Sequence, residues 1–154
     1  MVFVGVGPFG GKGGVPFDHD KATAIKKIII YSDDYVDSIC FEHEHEDGST
    51  SWSKRLGGDG GSKHEVVFNY PDEYLKQIDG CYKSFSDDSL IIKSLTFFTN
   101  KAMYGPYGTD DSISTFTIPT KDSEIVGFFG ASGKYLDKIG VYLKPRDELE
   151  SSSA

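Results

Sequence analysis

Glycine-rich loops that return along the chain constrain its fold more tightly than anything else in the sequence. Gly10-Gly11-Lys12-Gly13-Gly14 recurs as Gly57-Gly58-Asp59-Gly60-Gly61, and Gly7-Pro8-Phe9-Gly10 recurs as Gly105-Pro106-Tyr107-Gly108. A second series is offset from the first: Asp33-Asp34-Tyr35-Val36-Asp37, a weaker Ser84-Phe85-Ser86-Asp87-Asp88, then Gly133-Lys134-Tyr135-Leu136-Asp137. Interleaved loops at a period of roughly 50 residues predict three similar supersecondary units sharing one core.

Between the loops the apolar runs are short and broken by Gly, Asp, Asn and Ser, which points to an all-β domain. Ile25 to Tyr31 reads as a strand, and Ser38-Ile39-Cys40-Phe41-Glu42-His43 alternates as a half-buried strand should. Asp47-Gly48 is a hairpin signal, because glycine tolerates the positive φ of primed turns, and Thr50 to Leu56 is the returning partner. Glu65 to Phe68, Tyr74 to Tyr82, Leu90 to Asn100, Ser114 to Ile118, Glu124 to Phe129 and Ile139 to Leu143 bring the total to about a dozen strands. No long amphipathic helix is apparent. A chain of 154 residues suits one domain, expected over 1–145. Residues 146–154 are charged and then serine-rich, and read as a mobile tail.

Charge narrows the partners. A formal net charge of -8 argues against nucleic acid, whose phosphates call for a surplus of Lys and Arg. The longest apolar runs, such as Ile28-Ile29-Ile30-Tyr31, fall far short of the roughly 20 residues of a membrane-spanning helix. Met1-Val2-Phe3-Val4-Gly5 has neither the positive start nor the apolar run of a secretory signal, so a cytoplasmic location is expected. Cys40 and Cys81 are then expected to be free thiols.

Other patterns give way to blander readings. Gly5-Val6-Gly7-Pro8-Phe9-Gly10 matches a dinucleotide fingerprint formally, but Pro8, Gly11, Gly13, Gly14 and Pro16 oppose the helix that must follow. In Glu42-His43-Glu44-His45-Glu46-Asp47 the two imidazoles share one side of a strand. The tract runs into the Asp47-Gly48 turn, however, and reads as a solvated hairpin tip rather than a metal site. Asp87-Asp88 and Asp110-Asp111 are adjacent in sequence and point to opposite faces, which does not suit paired catalytic carboxylates. Trp52, Phe97, Phe98, Phe128 and Phe129 read as core or sheet packing, and Cys40 as a structural or surface thiol.

Leu95-Thr96-Phe97-Phe98-Thr99-Asn100-Lys101, Tyr104-Gly105-Pro106-Tyr107-Gly108, Ile125-Val126-Gly127-Phe128-Phe129-Gly130 and Leu136-Asp137-Lys138-Ile139-Gly140 follow one another in an order and spacing that resembles the jacalin-related plant lectins. The likeness covers about Val6 to Pro145. It is strongest to the mannose-specific, unprocessed branch, because Gly7 to Gly14 lies inside a continuous chain. The resemblance implies a β-prism of three four-stranded Greek-key sheets about a pseudo-threefold axis. It also implies reversible binding of mannose, glucose and oligomannose glycans, with no metal, no cofactor and no catalysis, by a homodimer or higher oligomer.

Carried over to matching positions, the resemblance implies that Gly14 donates its backbone N–H to a sugar hydroxyl. Lys134 and Tyr135 donate theirs around the ring oxygen and the primary hydroxyl, and Asp137 accepts from two hydroxyls. One carboxylate offers about four lone-pair positions, and charge-assisted bonds are the stronger kind. Glycine at 14 lets a sugar approach without a Cβ in the way, and glycine at 133 is expected to relieve unusual dihedrals in the tight loop. A second candidate site repeats the pattern with Asp34, Tyr35, Asp37 and Gly61. It departs from it at Asp33, which stands where a leading glycine is expected and adds a carboxylate beside Asp34. The third copy, Ser84 to Asp88 with Gly105 to Gly108, has neither motif intact, and no sugar is expected there.

Overall fold

The computed structural model describes residues 3–119 and 122–146, and within them the chain contains strands and turns but no helix. Strands β1 (Val4–Gly10) and β2 (Val15–Asp18) begin a first sheet. A second sheet follows, from β3 (Ala24–Ser32), β4 (Val36–Glu44), β5 (Thr50–Trp52), β6 (Leu56–Gly57) and β7 (Ser62–Val67). The third takes β8 (Leu75–Ser84), β9 (Leu90–Thr99), β10 (Met103–Gly108) and β11 (Thr115–Pro119). Finally β12 (Ser123–Ser132) and β13 (Leu136–Pro145) return to the first sheet.

The sheet orders are β1-β13-β12-β2, β5-β4-β3-β7 with β6 also on β4, and β10-β9-β8-β11. Each is a Greek key, with a central hairpin flanked by the next strand on one side and the last on the other. In the first sheet the hairpin comes from the end of the chain and the flanking strands from its beginning. The three keys form a β-prism, the fold the resemblance implies, and they are the three units about one core that the spacing of the loops predicts.

Side chains on the inner faces of the central hairpins fill the prism. Ile28, Ile30 and Phe41 of the second sheet, Ile78, Leu95 and Phe97 of the third, and Phe128, Ile139 and Val141 of the first are all buried in one cluster. Burying such a side chain is worth roughly 1.5–3 kcal/mol, so the central hairpins are the stable frame on which the end loops are mounted. Strands β1, β2 and β7 are mostly exposed. This is why the sequence reading takes Gly7 to Gly10 and Gly105 to Gly108 for loops: edge strands interrupted by Gly-Pro carry little apolar signal. Both form bulged strands, on β13 and β9 respectively. Their second-sheet equivalent, read as one strand from Thr50 to Leu56, is split into β5 and β6.

Three further expectations need correction. The His tract is solvated only at its turn, where Gly48 has φ of +85°. His43 itself is 6% exposed, its ring 5.5 Å from Phe41 and 5.4 Å from His19. Trp52 is no core residue: it lies on an edge strand, 44% exposed, with Lys27 Nζ 5.8 Å from its ring. Arg146, assigned from sequence to the tail, is anchored. Its N–H donates to the Asp122 carbonyl (2.7 Å), its guanidinium donates to Glu124 (2.9 Å) and stacks 3.8 Å from the Tyr74 ring. The rest of the tail, 147–154, lies outside the described residues. Cys40 and Cys81 are both free thiols.

Candidate functional site

At one end of the prism, in the first and second sheets, the turn of the central hairpin meets the glycine loop between two outer strands. In the first sheet the turn joins β12 to β13 and is closed by Gly133 N–H donating to the Tyr135 carbonyl (2.9 Å). Gly11 N–H donates to the Asp137 carbonyl (2.9 Å) and ties the glycine loop alongside. Gly14 has φ of +88°, and a Cβ there would stand 2.7 Å from Asp137 Oδ1. Gly13 lies near the other oxygen, at 3.1 Å from its ideal Cβ to Oδ2. The carboxylate therefore faces two bare backbone segments, and only glycine leaves that approach open.

The second sheet repeats this geometry. Asp33 N–H donates to the Tyr35 carbonyl (3.2 Å), and Gly58 N–H to the Asp37 carbonyl (3.0 Å). Gly61 has φ of +89°, and its ideal Cβ would lie 2.8 Å from Asp37 Oδ1. The departure at Asp33 does no damage, because the leading position of this turn does not need positive φ: Gly133 is not among the residues with positive φ. Glycine at 133 is thus not required for its dihedrals, contrary to expectation. Asp33 also uses its extra carboxylate, accepting from Ser62 Oγ at 2.8 Å.

The loop pairs interlock. Gly58 packs against the backbone carbonyl of Lys134, and Thr109 N–H donates to the Asp34 carbonyl (3.1 Å). Lys134 and Asp34 are exposed, Tyr135 and Tyr35 half-buried. The two tyrosine rings meet edge to face with centroids 5.6 Å apart, and Phe85 of the third sheet closes on Tyr35 at 6.1 Å. All eight residues singled out from sequence fall in two adjacent clusters at one end of the molecule.

Both carboxylates are partly withdrawn from water. Burial pushes the Asp137 carboxyl above the ordinary range, against the Gly133 backbone and Lys138. Asp37 is raised by burial and by Asp33, and lowered by Arg55. Arg55 is the residue that sequence reasoning missed. It donates to Ser38 Oγ (2.7 Å) and to the Gly60 carbonyl (2.8 Å) and lies 3.6 Å from the Tyr31 ring centroid, bracing the second glycine loop from behind. Its position inside an interrupted edge strand gave no motif to find.

The third unit differs more deeply than a degraded motif. Gly10, Gly57 and Gly108 pair with Lys138, Ser38 and Ser94, so the residues preceding these partners are equivalent: Asp137, Asp37 and Lys93. Lys93 therefore stands where the other units place a carboxylate, and its Nζ is bound to Asp111 at 2.6 Å. The Ser84 to Asp88 segment lies further out, at the tip of an extended hairpin, where Phe85 N–H donates to the Ser89 carbonyl (2.9 Å). The sequence alignment of that segment with the acidic turns is thus displaced.

A carboxylate facing backbone amides, in an open turn flanked by an aromatic ring, can bind a neutral polyhydroxylated molecule through several hydrogen bonds. Comparison with known proteins agrees. A relative named Jacalin-related lectin 3, from Arabidopsis thaliana, is 42% identical over 142 residues, 91% of this chain and 23% of that protein. A mannose/glucose-specific lectin of Parkia platycephala is 40% identical over 148 residues, 92% of this chain and 32% of that protein. The chain thus spans about a quarter to a third of the length of these curated relatives. A solved structure of a mannose binding jacalin related lectin from Ananas comosus superposes with a TM-score of 0.86 at 35% identity, covering 93% of this chain and 98% of that one. The jacalin-like lectin domain model matches residues 6–142, and the chain belongs to that family.

Proposed function

We propose that this domain binds mannose- and glucose-containing glycans reversibly and without chemistry, through the two loop clusters. The observation that carries the reading is the approach of Asp137 to Gly13 and Gly14, repeated almost to the ångström between Asp37 and Gly60 and Gly61. In the first site Asp137 accepts from two vicinal or neighbouring hydroxyls while the backbone N–H groups of Gly14, Lys134 and Tyr135 donate to the sugar. Asp37, Asp34, Tyr35 and Gly61 take the same roles in the second. The sugars named by the Parkia and Ananas relatives support mannose and glucose as the ligand class.

Each site offers only a few hydrogen bonds at an open surface, so a monosaccharide binds at about millimolar, or ~4 kcal/mol. Two sites on one rigid prism raise the avidity for branched oligomannose glycans, and a homodimer would double the valency. Calorimetric titration with methyl α-mannoside and methyl α-galactoside tests this. Mannoside alone should bind, with two sites per chain, one in Asp137→Ala or Asp37→Ala and none in the double variant. Absence of binding to either sugar would instead favour a protein-interaction module on the same scaffold.

A further inference from the structure

The other end of the prism carries a cluster of imidazoles that the sugar loops do not explain. His43 and His45 sit two residues apart on one face of β4 and its extension, with ring centroids 4.8 Å apart. Eight residues along the strand from Asp37, at about 3.3 Å each, put His45 roughly 26 Å from the second sugar loop. Ser51, directly opposite His43 on β5, places its Oγ 2.7 Å from His45 Nε2 and 3.5 Å from His43 Nε2. Two imidazole nitrogens thus converge on a single small oxygen, at an edge strand open to solvent. On the far side of His43 stands His19, from the β2–β3 connection, its ring 5.4 Å away. The Nδ1 atoms of His19 and His43 are buried with no hydrogen-bond partner. Asp20, Glu46 and Asp47 line the cleft beside His45 and outnumber its two lysines, Lys21 and Lys144.

We propose that His43 and His45 form a chelating pair for a divalent transition-metal ion of the zinc class, with water completing its coordination. Imidazole nitrogens on alternate positions of a strand suit a borderline ion that accepts N ligands and keeps open positions for water. The Ser51 hydroxyl stands in the structure where such an ion or its water would bridge the two rings. The neighbouring carboxylates supply favourable charge without having to ligate. Cys81 with Asp110 and Asp111 brings three donors closer together, but Asp111 is held by Lys93 and the Cys81 thiol by Ser94 at 3.0 Å.

Competition of untagged protein with a chromophoric zinc indicator at pH 7.5 tests the site, with histidine ring protons followed by NMR as Zn2+ is added. One ion per chain in the micromolar range is expected, shifting the His43 and His45 rings and leaving His64, which lies on β7 against Tyr107, unmoved. His45→Gln, a change at a half-buried position beyond the end of β4, should weaken binding at least tenfold while leaving the melting temperature and mannoside binding intact. His64→Gln should not, and Ser51→Ala should retain it. Failure to compete with the indicator, or zinc affinity indifferent to His45→Gln, overturns the proposal. Mannoside stoichiometry is a separate readout and should be the same with and without zinc.

Discussion

Gly14 and Asp137 approach so closely that one added carbon on Gly14 would stand 2.7 Å from the Asp137 carboxylate oxygen. Residues more than a hundred positions apart in sequence thus share one small volume, and the first sheet, closed by both halves of the chain, holds them there. Gly14→Ala introduces both this contact and the strain of a side chain at φ of +88°. A loss of about 1–2 kcal/mol is expected, seen as a lower melting temperature, with calorimetry counting one mannoside site instead of two. Unchanged stoichiometry would remove Gly14 from the site.

Asp137→Asn should separate binding from stability. The folded-state pKa of Asp137 is raised, chiefly by burial. Between its ordinary and its raised pKa the native state therefore holds more protons than the unfolded one, and stability falls as pH rises through that window. At neutral pH the charge costs stability, so Asn should leave the melting temperature equal or higher while abolishing one sugar site. In the unmutated protein, sugar affinity should fall as pH drops through the raised pKa. A first-site affinity that stays flat into acid would contradict the role given to the carboxylate.

Arg55→Ala should act on the second site alone. It removes the bonds to Ser38 and the Gly60 carbonyl, and with them the positive charge that lowers the pKa of Asp37. A several-fold weaker second site is expected, on the order of 1 kcal/mol for a lost loop-positioning bond. The first site should be intact in the same titration. Measured on an Asp137→Ala background, the remaining isotherm reports the second site directly.

Arg146→Ala should destabilise the fold without touching sugar binding. Glu124 is 1% exposed and accepts from Arg146 at 2.9 Å and from Tyr70 Oη at 3.0 Å. Removing the cation leaves a buried carboxylate short of a partner, a loss of about 2–3 kcal/mol. Denaturant unfolding should show it. A neutral outcome would mean that Lys144, 4.0 Å from Glu124, takes over.

The legible part of this fold was its interior and its punctuation. Apolar alternation in Ser38 to His43 and the long run from Leu90 located central strands because burial demands it, and the repeated glycine loops located the ends. Of the edge strands, β1 and β10 were not legible, since Gly-Pro interrupts both and leaves only Val6 and Phe9 or Tyr104 and Tyr107 to pack against the core. Arg55 also left no trace: its partners are a backbone carbonyl, a serine and a tyrosine ring brought together only by pairing in three dimensions. Asp33 misled because the value of a leading glycine was assumed to be conformational. Lys93 went unseen because the third turn carries extra residues that shift its equivalents along the chain.

The pairing of Val4 with Leu143 has a consequence for how such domains can be strung together. Strand β1 leaves that point toward the glycine loops and β13 returns to it from them, so the start of the first strand and the end of the last lie side by side at the far end of the prism. A neighbouring domain tethered at either end is therefore attached behind the recognition surface. Successive copies could be added like beads hung from a cord, each presenting its open face outward, with linker length setting the spacing of the sugars they grip.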